Sequence, residues 1–325
     1  MPHILLTGAG FSHNWGGWLA KEAFEYLLGS DQVDGGIRKL LWDYKDAGGF
    51  EGALGQLQDD AARGKTDAES SLAKLENALS QMFGDMNNAF ATTGFESRGS
   101  GVRNYLKMFD AIFTLNQDLL MEPHYFNSGF LREEFCLHRK WKGCQIPGMQ
   151  AIPPEGLQPY KMRWVPFEDE TKFVVEKDHQ PYFKLHGSSN WFADDKSESR
   201  RLLIIGGNKA SAIDRYPILK WNHKQFRDCL MKADTRLMVI GYSFGDAHIN
   251  TVIGDAADRG TLRLFIVDPS GVDVLQREGL WLFPDPAYLG GDRLHPYVIG
   301  ASRRRFRAIF EDDDVERGKL MRFFD

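Results

Sequence analysis

The sequence predicts an α/β protein: a Rossmann-like parallel sheet with helices on both faces, plus an inserted helical module. Three observations carry this. Runs of about four apolar residues recur along the chain, each followed at once by small or polar residues. Helical periodicities separate many of these runs, the alternation expected of a parallel sheet covered on both faces. The first run, His3-Ile4-Leu5-Leu6-Thr7, passes directly into Gly8-Ala9-Gly10-Phe11-Ser12 and then a helical pattern. That is strand, tight turn, helix.

Glycine at such a turn lets a ligand approach with no Cβ in the way. The helix start aims N–H groups and positive charge at an anion, most often a phosphate. The spacing is Gly8-x-Gly10-x-x-His13, so the third glycine of the dinucleotide fingerprint is missing. No second strand with an acidic residue about 20 positions on is evident either, which disfavours a hydride-transferring dehydrogenase. Leu19, Ala20, Ala23, Phe24, Leu27 and Leu28 share one stripe, predicting a helix of about three turns opened by the turn and closed by Gly29. Residues 31–100 show no strand pattern. Ile37, Leu40, Leu41 and Tyr44 make one helical face, and Leu72, Leu75, Leu79, Met82 and Phe83 another. This stretch is read as a helical insertion, a candidate lid or oligomer surface.

Ala111-Ile112-Phe113 returns to the sheet and ends in Thr114-Leu115-Asn116-Gln117-Asp118. Residues 124–181 are irregular, and Pro147, Pro153, Pro154, Pro159 and Pro166 exclude long helices there. They are read as an insertion near the site, with Lys172-Phe173-Val174-Val175 as a strand within it. Further strands are expected at Tyr182–Leu185, ending in His186-Gly187, and at Leu202–Ile205, ending in Gly206-Gly207. Two more are expected at Leu237–Ile240, ending in Gly241-Tyr242-Ser243-Phe244-Gly245-Asp246, and at Leu264–Val267, ending in Asp268-Pro269.

At 325 residues and 42% apolar composition, the chain suffices for one large domain, read as 1–325. Its net charge of -5 gives no polycation for nucleic acid. The basic run Arg303-Arg304-Arg305-Phe306-Arg307 precedes Glu311-Asp312-Asp313-Asp314 and reads as a solvated, ion-paired face. Three cysteines (Cys136, Cys144 and Cys229) with no C-x-x-C pair argue against a disulfide framework and a zinc ribbon. Cys136-x-His138 with Cys144 is too irregular a ligand set to predict a metal. No apolar run reaches membrane-spanning length and no leader is evident, so a soluble cytoplasmic protein is expected.

Polar residues released at the carboxyl ends of parallel strands gather where open α/β sheets bind ligands. Collected there are the Gly8–Ser12 turn, Asn116, Asp118, His186, Gly241, Ser243 and Asp268. Asp268 is placed to accept from ribose hydroxyls. His186 is a candidate general base. Asn116 can bond a ribose hydroxyl or hold a water, because an amide both donates and accepts.

These motifs, in this order, resemble the sirtuin family, and more closely the bacterial sirtuin-like NAD hydrolases of anti-phage defence. The resemblance runs from residue 3 to about 270. It implies that Gly8, Ala9, Gly10, Phe11 and Ser12 bind the pyrophosphate side of NAD. It further implies that Asn116 and Asp118 face the nicotinamide ribose, that His186 is the base, and that Gly241, Ser243 and Asp268 hold the adenosine half. NAD is then the substrate, with self-assembly into a homo-oligomer or a separate regulatory or sensor protein controlling the enzyme. Sirtuin deacylases carry a four-cysteine zinc module after the His-Gly motif. Here only about fifteen cysteine-free residues separate Gly187 from Leu202, so no zinc is expected and hydrolysis is favoured over lysine deacylation. Two rivals stay open. Gly241-x-Ser243-x-Gly245 matches the nucleophile elbow of α/β-hydrolases, with Asp268 and His295 following in order. A sensor binding NAD or ADP-ribose without cleaving it would use most of the same residues.

Overall fold

The computed structural model describes residues 1–325 except 93–94, 96–100, 127–140, 153–161, 195–200, 208 and 277–292. Cys136 and His138 lie outside the described residues. The chain opens with β1 (His3–Thr7), α1 (Ala9–His13), α2 (Ala20–Leu28), α3 (Gly35–Asp43), α4 (Gly49–Ala62), α5 (Ala68–Thr92) and α6 (Gly101–Leu106). Strands β2 (Ala111–Thr114), β3 (Gly143–Gln145), β4 (Met149–Ile152), β5 (Arg163–Pro166), β6 (His179–Lys184), β7 (Gly187–Phe192) and β8 (Arg201–Leu203) follow. Next come α7 (Lys209–Asp214), α8 (Pro217–Leu230), β9 (Arg236–Ile240), α9 (Ala247–Asp258) and β10 (Arg263–Val267). The chain closes with β11 (Val298–Ser302), α10 (Phe306–Glu311) and α11 (Asp314–Met321).

A seven-stranded sheet runs in the order β11-β10-β9-β1-β2-β6-β3, and every pairing in it is parallel. Successive side chains on a strand face opposite sides, so a sheet buried on both needs unbroken apolar strands. That is what the strands supply. Leu5, Ile112, Met238 and Phe265 enter one core; Ile4, Leu6, Phe113, Val239 and Ile266 enter the other. The order also puts β1 between β9 and β2, so the turn after β1 lies between the ends of both neighbours.

The structure corrects four details. The helix after β1 is not continuous. Asn14 caps α1 after five residues, Gly16 takes φ 90°, and Gly17 packs on Ser12 so closely that a Cβ would lie 2.8 Å from the Ser12 Cβ. Residues 172–175 form no strand: a short 3-10 turn covers Glu170–Lys172, and Val174 and Val175 are exposed. The apolar run 202–205 does not join the parallel sheet. Its first residues, in β8, pair antiparallel with β7 in a second sheet of order β4-β5-β7-β8. Continuous apolar character told of burial but not of the sheet that provides it. Finally, β11 closes the edge of the main sheet beside β10, and no apolar run announces it.

Among the described residues, no helix is long and apolar enough to cross a membrane.

Candidate functional site

A cavity of about 920 Å³ opens over the carboxyl ends of the central strands. Its wall includes Gly8, Ala9 and Gly10 after β1, Asn116, Gln117 and Asp118 after β2, and His186 after β6. Gly241 and Ser243 after β9 and Asp268 after β10 complete that edge. The structure therefore brings together most of the residues singled out from sequence. Phe11 and Ser12 are placed behind the wall. Phe11 is buried in an aromatic cluster, with ring centroids 5.2 Å from Trp15 and 5.5 Å from Phe306. Ser12 is buried and its Oγ accepts from Asn116 Nδ2 at 2.9 Å.

The glycine turn is locked to its neighbour. Gly8 N donates to Ile240 O at 3.0 Å, Gly10 N to Gly241 O at 2.9 Å, and Phe11 N to Gly8 O at 2.8 Å. These amides therefore brace the turn, whereas the sequence reading had them free for a phosphate. The close approach explains the glycines. Gly241 has φ 63°, and a Cβ there would lie 2.4 Å from both Gly10 C and Phe11 N. Gly241→Ala is expected to lose at least about 1–2 kcal/mol of stability from the left-handed backbone alone, with the clash adding to it. A urea midpoint equal to wild type would refute this reading of the turn.

Asn116 sits on a ladder of hydroxyls. Thr7 Oγ1 donates to Thr114 Oγ1 at 2.7 Å, and Thr114 Oγ1 accepts from Asn116 N at 3.0 Å. With Ser12 this fixes the amide at the cavity wall. Asp118 is buried; burial raises its carboxyl above the ordinary range, opposed by Lys184 and the Leu120 amide. Lys184, fully buried, donates to Asp118 O at 2.6 Å and to Glu122 Oε1 at 2.8 Å. Asp268 Oδ1 accepts from Ser270 N at 2.8 Å, shaping the turn after β10.

His186 is buried to 3% exposure, and burial holds its imidazole well below the usual histidine range despite the carboxylate of Asp246. Its Nε2 lies 2.9 Å from His248 Nε2. His223 completes a histidine cluster, its ring 5.3 Å from that of His248. His223 Nε2 lies 2.9 Å from Leu185 O, and a carbonyl only accepts, so this nitrogen carries the proton. Burial first, then His248, lowers His223 to about 4. Beside the cluster, Asp246 Oδ1 accepts from Lys209 Nζ at 2.8 Å, and Lys209 also pairs with Glu51 of α4 at 2.8 Å. Burial raises Asp246, but Lys209 and His186 outweigh it and hold the carboxyl at about 2.

Sequence reasoning missed this cluster. Asp246 directly precedes α9 but makes no side-chain cap bond. The available signal was Asp246-Ala247-His248 directly after a strand-end motif. The basic run was read as a solvated face. Arg303, Arg304 and Arg307 do pair with Asp273, Asp313 and Glu311. Yet Arg304, Arg305 and Arg307 also line the cavity, so this face is the cavity's positive wall. Among the described residues Cys144 and Cys229 are free thiols.

No curated protein matches the chain in sequence. Residues 110–282 match the SIR2-like domain, and this span contains Asn116, Asp118, His186, Gly241, Ser243 and Asp268. The match covers more than half of the 325 residues, and the chain therefore belongs to the SIR2-like domain family, an NAD-dependent enzyme family.

Proposed function

We propose that the protein is an NAD glycohydrolase, cleaving NAD with water to ADP-ribose and nicotinamide. The observation that supports this best is the placement of Asn116 and His186, from the ends of adjacent strands β2 and β6, on the wall of one cavity with the glycine turn. The pyrophosphate lies toward Ala9 and the cavity arginines, and the adenosine ribose toward Asp268. Binding energy from these remote parts orients the reacting sugar. The nicotinamide–ribose bond breaks heterolytically, both electrons leaving with the ring nitrogen, and charge grows on the ribose. Asn116 positions a ribose hydroxyl or the water. The water oxygen bonds to the anomeric carbon and His186 takes its proton. A buried, neutral imidazole is ready for that role, and it need not be a strong base, because the oxocarbenium-like carbon makes the attacking water acidic.

Water as acceptor is supported over an acyl-lysine by the short, cysteine-free connection between Gly187 and Leu202. Incubating the purified chain with NAD and following free nicotinamide and ADP-ribose by proton NMR tests the reading. In a defence setting such turnover depletes NAD, with control by self-assembly or by a separate regulatory protein.

The hydrolase rival gains nothing from the geometry. A nucleophile elbow holds its serine in the strained position of a strand-to-helix turn. Here the positive φ values fall on Gly241 and Phe244, at 63° and 55°. Among the described residues no hydrogen bond joins the Ser243 hydroxyl to an imidazole. A serine-directed fluorophosphonate is expected to leave Ser243 unlabelled by peptide mass spectrometry; stoichiometric labelling would favour the rival.

A further inference from the structure

His186, Asp246 and His248 bring three metal-ligating side chains to one point. One ligand atom from each lies within 4.8 Å of the others. They come from separate places in the fold: His186 follows β6, while Asp246 and His248 begin α9. The two imidazoles meet nitrogen to nitrogen at 2.9 Å. A neutral pair so arranged shares a single proton, whereas a cation between them takes a lone pair from each. Two nitrogens held tetrahedrally by zinc at about 2.0–2.1 Å stand roughly 3.3 Å apart. The rings need move only a few tenths of an ångström to reach that spacing.

The carboxylate is prepared in the same way. Lys209 holds Asp246 Oδ1 at 2.8 Å and is anchored in turn by Glu51. The other carboxylate oxygen is left for a cation, and the lysine acts as the outer hydrogen bond that orients a ligating carboxylate. Asp246 and Glu51 together outweigh Lys209, so the surroundings are net negative. His186 and Asp246 also line the cavity, which gives an ion an entry path and an open coordination position. Two imidazoles, one carboxylate and an open position suit zinc and its nitrogen-preferring neighbours over magnesium or calcium.

We propose that His186, His248 and Asp246 form a binding site for a zinc-class divalent cation opening onto the cavity. The site differs in ligands from the four-cysteine module of deacylases. Occupancy engages the His186 ring. On the proposed hydrolysis, and only there, the cation therefore acts as an inhibitor that withholds the base.

The test uses the full chain, stripped by chelation and titrated with Co²⁺ as a spectroscopic probe. The expected result is one Co²⁺ per chain with visible d–d bands. Affinity should fall by about 10-fold or more in His248→Ala, His248→Gln and Asp246→Asn. The glutamine variant keeps volume and polarity, and far-UV circular dichroism verifies its fold. Three results overturn the site: no Co²⁺ retained by wild type, unchanged affinity in folded His248→Gln, or a thiolate-to-cobalt charge-transfer band that puts the ion on a cysteine. None of these readouts needs NAD turnover, so failure of the metal site and failure of the hydrolysis reading are distinguishable.

Discussion

His186→Ala is expected to release nicotinamide from NAD at least about 100-fold more slowly than wild type, since a positioned general base contributes on the order of 10²–10⁴ in rate. The loss should fall on kcat, with KM for NAD nearly unchanged. His186 sits at the β6 end of the cavity, whereas the glycine turn, Asp268 and the arginine wall that would hold the dinucleotide lie across it. Asn116→Ala should act on the same step, because Ser12 holds the side-chain amide at the wall while Thr114 fixes the backbone that carries it. If the two side chains serve one step, the double variant should be little slower than the worse single variant. Full turnover in a folded His186→Ala protein would remove the base from the mechanism. Full turnover in Asn116→Ala as well would assign the cleavage to other groups of the chain.

Much of this site was legible because its strands obey one rule. Each carries a short apolar run, interrupted in β6 by the buried Lys184, and the polar residues after it emerge at the carboxyl edge of the sheet. Asn116, His186, Gly241 and Asp268 follow from that rule. What escaped was built by contacts that no local pattern carries. Lys209 meets Asp246 and Glu51, which lie far from it in sequence and are brought together by the packing of separate elements. The second sheet pairs β7 with β8 across a short excursion, and its apolar residues look in sequence like those of the main sheet. Strand β11 is half-buried at an edge and carries Gly300 against the ring of Phe265, so it lacks the run that marks the central strands. The broken helix after β1 has a local signal in Gly16 and Gly17, but the stripe from Leu19 to Leu28 masked it.

The second large effect is on stability. Lys184→Met is expected to cost about 3–5 kcal/mol, the penalty for leaving one partner of a buried ion pair behind. Lys184 is fully buried, and its ammonium is met by Glu122 Oε1 and Asp118 O. Burial already raises the Glu122 carboxyl, with Lys184 the main opposing influence, and Glu122 Oε2 has no hydrogen-bond partner. Removing the lysine therefore leaves the largely buried Glu122 carboxylate, 14% exposed, without its ion-pair partner. Methionine fills most of the space, so the loss should come from charge and not from a cavity. Adding Glu122→Gln removes the stranded charge, and the double variant should be more stable than Lys184→Met alone. Urea unfolding at neutral pH measures both. A Lys184→Met midpoint within about 1 kcal/mol of wild type, the scale of an exposed pair, would mean that the pair does not hold this part of the fold. The same ammonium fixes the carbonyl of Asp118 at the cavity wall, so the single variant should also weaken NAD binding, joining the stability of β6 to the shape of the proposed nicotinamide end.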